Sequence, residues 1–133
     1  MSRIGIETPS EFRSAIREFI AMRVQAQEAD RVKAMERAMV GRKNDGLDFF
    51  PTPAEVADQM VEAAGIERDM AVLEPSAGMG HLADRIRAAG AEPDVIELSG
   101  DRRELLTEKG FNVIGTDFMA IEPRSTYTYG DVF

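Results

Sequence analysis

Three apolar residues, an acid, then small residues and two glycines make up Ala71-Val72-Leu73-Glu74-Pro75-Ser76-Ala77-Gly78-Met79-Gly80-His81. A helical pattern, Leu82-Ala83-Asp84-Arg85-Ile86-Arg87, follows at once. A strand that turns through glycines into a helix leaves room for a small molecule against the backbone, because glycine tolerates positive φ and carries no side chain. The stretch points to an α/β architecture, and a ligand site is expected here first.

The chain downstream repeats the pattern. Residues 70–73 read as a first, continuously apolar strand, as a strand covered on both faces should be. Residues 81–89 read as a helix closed by Gly90, 94–97 as a second strand, and 101–109 as a helix closed by Gly110. Residues 111–114 form a third strand that leads into Gly115-Thr116-Asp117-Phe118. Strand and helix alternating through short loops imply parallel strands joined by right-handed crossovers, half of a doubly wound sheet. Near the end, Thr126-Tyr127-Thr128-Tyr129 allows one more short strand, interrupted by Gly130.

The N-terminal part is different. Thr8-Pro9-Ser10-Glu11 is a helix start, with a Thr cap, a Pro whose missing N–H costs nothing, and a Glu that reaches back. Residues 11–40 contain no Gly or Pro, and Gly41 is a natural stop. Apolar positions follow three-and-four spacing at both ends: Phe12, Ile16, Phe19 and Ile20, then Val32, Met35 and Met39. Residues 25–31 interrupt the stripe. A straight helix of this length spans about 45 Å, more than a small α/β body. Two arrangements stay open, a helix that projects and packs on another chain or a bent one packed on its own domain.

Arg42-Lys43-Asn44-Asp45-Gly46 carries a turn signal. It separates a basic helical segment, 1–44, from an α/β domain, 45–133. In the latter, Thr52 to Glu55 reads as a second capping box with Pro53 at the first helical position. The helix it opens is expected to bury Val56, Met60 and Ala63 or Ala64, and to end at Gly65.

Composition narrows the chemistry. With 133 residues the chain has one domain's worth of core, and without cysteine it has neither disulfides nor a thiolate nucleophile or metal ligand. No apolar run reaches the roughly 18 residues of a membrane span and residues 1–10 lack a signal-peptide core, so no membrane partner and a cytoplasmic location are expected. Residues 1–44 hold nine Lys/Arg against six Asp/Glu, whereas 45–133 hold seven against eighteen. The acidic part is unsuited to neutralising phosphates, so any DNA contact is expected through the N-terminal segment.

Two cofactor classes compete for the glycine turn. Gly78-Met79-Gly80-His81-Leu82-Ala83 fits the dinucleotide pattern G-x-G-x-x-G/A, and Glu97 stands seventeen residues past Gly80, near where a ribose-binding acid is expected. Glu74, however, puts negative charge at the strand end, four residues before Gly78. That charge repels a pyrophosphate and attracts a sulfonium cofactor bearing an ammonium group. His81, the only histidine, sits at the helix start near the cofactor, a position that suits it better than a general-base role.

Val72-Leu73-Glu74-Pro75-Ser76-Ala77-Gly78-Met79-Gly80 resembles the first motif of class I S-adenosylmethionine-dependent methyltransferases. The Glu-Pro-Ser-Ala-Gly version resembles adenine-N6 DNA methyltransferases of phage and restriction systems. Phe49-Phe50-Pro51-Thr52-Pro53 is similar to the segment that in those enzymes covers the methionine end of the cofactor. The resemblance implies a truncated Rossmann-like methyltransferase fold of about three parallel strands and flanking helices, behind a long N-terminal helical segment. It implies S-adenosylmethionine as cofactor, with Phe50, Pro51 and Thr52 over its methionine end and Glu74, Pro75, Ser76, Gly78 and Gly80 of the first motif against it. Glu97, with Leu98 beside it, takes the ribose hydroxyls in this reading, and Asp117 accepts from the adenine amino group. Phe118 either stacks on the adenine or belongs to the core.

Methylation of an adenine amine also needs a site that extrudes and stacks the base. In the resembled enzymes this falls to an Asp/Asn-Pro-Pro-Tyr/Phe motif after the fourth strand. The six prolines here include no adjacent pair, and the chain ends where that strand would start. The expectation is a cofactor half that is inactive without a partner or further residues. In the family's order the first strand lies between the second and fourth, so its free edge is expected to be covered by residues 126–133 or by another chain, a second copy or a partner protein, unless the domain is cut from a longer protein. The alternative expectation is a non-catalytic protein-binding module of phage or mobile-element origin, such as an inhibitor of a bacterial defence system. A dehydrogenase-like domain is a distant third.

Overall fold

A computed structural model of the chain describes residues 5, 8–39 and 50–122. Helix α1 (Pro9–Met39) is one unbroken element of 31 residues. Its capping box forms as the sequence requires: the Glu11 amide donates to Thr8 Oγ1 at 3.2 Å, and the Thr8 amide to the Glu11 carboxylate at 2.9 Å. Only its C-terminal half meets the body, where Val32, Met35 and Met39 are half-buried. There it packs on α4 (Gly100–Glu108), with Arg31 Nε 3.2 Å from Glu108 and Glu36 3.7 Å from Lys109. In the other half Phe12, Ile16, Phe19 and Ile20 remain 41–60% exposed. Of the two arrangements left open by the spacing, the helix projects.

Helix α2 (Ala54–Ala64) departs from expectation in two ways. Pro53 is its cap residue, with φ −57° and ψ 143° and no side-chain cap hydrogen bond, so the Thr52 to Glu55 box does not form. The helix also buries Ala57 fully and Val61 in part, while Val56 and Met60 are 43% and 39% exposed. The apolar arc of α2 is wider than the surface that covers it. Helix α3 (His81–Ala88) lies against the Ala57 and Val61 side, where Leu82 and Ile86 join Val72, Ala91 and Ile66 in one core cluster. Gly65 ends α2 as expected, in the left-handed conformation, its amide donating to Glu62 O at 3.0 Å.

Three short strands, β1 (Leu73–Glu74), β2 (Asp94–Ile96) and β3 (Asn112–Gly115), form a parallel sheet in the order β1-β2-β3. Leu73 is in register with Asp94, Glu74 with Val95, and Val95 with Val113. β1 is shorter than residues 70–73 suggested and lies later. Its lead-in is a turn in which Asp69 has φ 65° and the Met70 amide donates to Glu67 O, so pairing starts only at Leu73. Glu74 is the last residue of the strand, as expected, and pairs with Val95.

The crossover helices α3 and α4 share one face of the sheet. Ala83 from α3 and Leu106 from α4 pack with Ala77, Val95, Phe111 and Val113, while α2 packs on α3 and α1 on α4. The architecture is mixed α/β, three parallel strands with flanking helices, compatible with a truncated Rossmann-like fold. Among the described residues β1 pairs only with β2. The segment 126–133 proposed to cover its free edge, the stop at Gly41, Phe49 and the 44/45 boundary lie outside the described residues. No described helix is long and apolar enough to cross a membrane.

Candidate functional site

Parallel strands deliver their carboxyl ends to one side of a sheet, and ligands of open α/β sheets bind there. In this chain that side carries Glu74 from β1, Glu97 just after β2, and Thr116 and Asp117 just after β3. Between them lies a cleft of about 460 Å³, within the roughly 300–1,000 Å³ of small-molecule sites.

Glu97 is the centre of its construction. The carboxylate is buried, and the Gly78 amide donates to Oε2 at 2.7 Å while the Ser99 amide donates to Oε1 at 2.8 Å. Buried Arg102 adds its guanidinium, Nη1 3.6 Å from Oε1. The glycine turn after β1 and the start of α4 are thus held by one side chain. Arg103 Nη1 fixes the backbone of the same loop, donating to Glu97 O at 2.8 Å and Leu98 O at 2.7 Å. A carboxylate has about four acceptor sites, so Glu97 retains capacity for a ligand donor despite these partners.

Glu74 is buried with less support. Its Oε1 accepts from the Ser76 amide at 3.0 Å, but Oε2 is buried and among the described residues has no hydrogen-bond partner. Its pKa is raised from the ordinary 4.5 to about 7, chiefly by burial, with the Ser76 hydrogen bond working in the opposite direction and the charge of Glu97 adding to the rise. An unsatisfied buried carboxylate oxygen is costly, and a ligand cation or N–H donor relieves that cost.

On the β3 side, Asp117 Oδ1 accepts from the Met119 amide at 3.0 Å, capping a short 3₁₀ turn (Phe118–Ala120). Phe118 remains 40% exposed, and Phe50, which also lines the cleft, is 85% exposed.

Of the residues expected at the site, Phe50, Thr52, Glu74, Pro75, Ser76, Gly78, Glu97, Leu98, Asp117 and Phe118 line this one cleft. Pro51 and Gly80 do not. Gly80 has φ 85°, and a Cβ there would come 3.0 Å from Leu106 Cδ2 and 3.3 Å from Phe111 Cε2. Its glycine is demanded by packing of the turn on α4 and β3, not by ligand approach. The Gly78 amide is engaged by Glu97 and so is not a free donor.

Sequence reasoning passed over Ala77, Leu82, Thr116 and Arg102, which also line the cleft, as does His81 at the first position of α3. Arg102 had a readable signal, a cation one turn into the helix that follows the acid Glu97. Among the described residues no group of three or more His, Cys, Asp or Glu is placed to hold a metal ion. No protein-family model matches the chain, and no curated protein matches it in sequence.

Proposed function

We propose that the cleft binds S-adenosylmethionine and that the domain is the cofactor half of an adenine-N6 DNA methyltransferase-like protein. The observation that carries this reading is Glu74 Oε2, a buried carboxylate oxygen without a partner among the described residues, in a cleft also lined by the braced carboxylate of Glu97. Two acids in one cleft disfavour a pyrophosphate and favour a ligand with cationic and hydroxyl donors. Glu74 would take the ammonium, Glu97 the ribose diol, and Asp117 the adenine amino group, with Phe50 and Phe118 closing the apolar side. When bound, the cofactor supplies an electrophilic methyl group. The residues of this chain bind and orient it, and the acceptor-binding aromatic and proline motif of the resembled enzymes is not among them.

Calorimetric titration with S-adenosylmethionine tests the reading. Saturable heat in the micromolar range, lost in Glu97→Ala with the fold retained by circular dichroism, is the expected result. An absence of saturable heat at millimolar cofactor removes the cofactor assignment. Titration with NAD separates the dehydrogenase-like reading.

A second reading, a protein-binding module that reuses this scaffold, is favoured by the exposed apolar face of α1. It requires that Glu97→Ala leave the biological activity intact while changes on α1 abolish it.

A further inference from the structure

Two carboxylates line the cleft, and the donors around it are divided between them unequally. Glu97 accepts from the Gly78 and Ser99 amides, one on each oxygen, and the Arg102 guanidinium stands 3.6 Å away. Glu74 accepts from the Ser76 amide on Oε1, and its Oε2 is buried with no hydrogen-bond partner among the described residues. Both residues are 5% exposed, so burial alone does not separate them. The donors do: Glu97 is braced to carry its charge and Glu74 is not.

The groups around Glu74 come from every element that meets the cleft. On β2, its register partner is Val95, and the neighbouring Asp94 is bonded to Asn112 at 2.6 Å. Besides Glu97 and Arg102, the titratable side chains that line the cleft are His81 at the start of α3 and Asp117 after β3, while Phe50 and Thr52 before α2 carry no charge. Burial, and after it the charge of Glu97, lift the Glu74 pKa to about 7 against the pull of the Ser76 hydrogen bond. A proton or a ligand cation relieves such a carboxylate, and each takes the place of the other.

We infer that Glu74 selects ligands with a cationic end by exchanging a proton for that end. At and below neutral pH the carboxyl of the free protein is protonated. On binding, its O–H bond breaks, the proton passes to solvent and the carboxylate pairs with the cation, so one positive charge leaves the cleft for each that enters. The inference rests on the S-adenosylmethionine reading, in which the incoming cation is the ammonium of the amino-acid end. A nucleoside that lacks this end has nothing to exchange and binds without displacing the proton.

Calorimetry on the full chain reads the proton directly. Titration with S-adenosylmethionine at about pH 6, in phosphate and in Bis-Tris, compares buffers of different ionisation enthalpy and should show release of about one proton per ligand. Affinity should rise roughly tenfold or more from about pH 5.5 to about pH 7.5. 5′-Methylthioadenosine, the same nucleoside without the amino-acid end, should bind with no proton release. Glu74→Gln stays neutral, so it should bind S-adenosylmethionine without proton release and about as weakly as the parent does at pH 5.5. Titration of the ligand, or of other groups in the cleft, is common to parent and variant and drops out of the comparison. Saturable binding with equal heat in the two buffers overturns the inference and leaves the cofactor reading standing. So does proton release that persists in Glu74→Gln, or that accompanies 5′-methylthioadenosine equally. An absence of saturable heat with S-adenosylmethionine at any pH overturns both.

Discussion

The Gly78 amide donates to Glu97 Oε2 at 2.7 Å, which locks the turn after β1 to the end of β2 across nineteen residues of sequence. With the Ser99 amide on the other oxygen, the carboxylate holds both loops that border the cleft. Hydrogen bonds to charged groups contribute about 1.5–3 kcal/mol each, so Glu97→Ala should lower stability by roughly 2–4 kcal/mol. Glu97→Gln retains one acceptor and turns an amide against the other donor, so its loss should be intermediate. Urea denaturation of the three proteins checks the ranking. Equal stability for all three would mean that the bonds are dispensable.

The pH response should come from Glu74. Its folded pKa of about 7 lies above the ordinary 4.5 because burial penalises the charged form. Between those values the folded state binds the proton and the unfolded state has released it, so stability falls as pH rises. The contribution is fully present below about pH 4.5 and lost once pH has passed about 7. The shift corresponds to on the order of 3 kcal/mol, at about 1.4 kcal/mol per unit. Glu74→Gln should remove this slope and be more stable than the parent at pH 8, with little difference at pH 4.5. Parallel slopes for the two proteins in denaturant titrations between pH 5 and 8 would contradict it.

How far the sequence could be read differs from element to element. The glycine turn, the order of acids at the strand ends and the Thr8 capping box were legible because each depends on neighbours within a few residues. The burial of α2 was not. Val56 and Met60 match helical spacing as well as Ala57 and Val61 do, and only the approach of α3 decides which pair is covered. Arg102 was passed over and Gly80 misjudged for a related reason. The guanidinium that braces Glu97 and the side chains of Leu106 and Phe111 around Gly80 come from α4 and the start of β3, contacts with no local signature.

Gly80 yields a packing prediction. At φ 85° an L side chain is strained, and the added Cβ would press on Leu106, Lys109 and Phe111 at 3.0–3.3 Å. Backbone strain and overpacking each cost about 1–3 kcal/mol, so Gly80→Ala should lower stability by about 2–5 kcal/mol. The turn also borders the cleft, so ligand affinity should fall with it. A thermal melt within a degree or two of the parent would show that the turn can relax.

Lys109, just past the end of α4, gathers three elements around its ammonium group. It donates to Met79 O in the glycine turn at 3.1 Å and to Asp84 of α3, and Glu36 of α1 lies 3.7 Å away. The group is only 10% exposed, so its charge is held by these partners and not by water. Lys109→Met keeps the aliphatic stem against Phe111 but leaves the Met79 carbonyl and Asp84 without their donor. The expected loss is about 1.5–3 kcal/mol, less than for breaking a fully buried pair because Asp84 is 44% exposed and can turn to solvent. Hydrogen exchange distinguishes a specific tie from general destabilisation. The Gly80 amide, bonded to Ala77 O at 2.8 Å, should lose protection in Lys109→Met, while the Gly65 amide at the end of α2 should be unchanged. Uniform loss across both would mean that Lys109 supports the fold as a whole and not the turn.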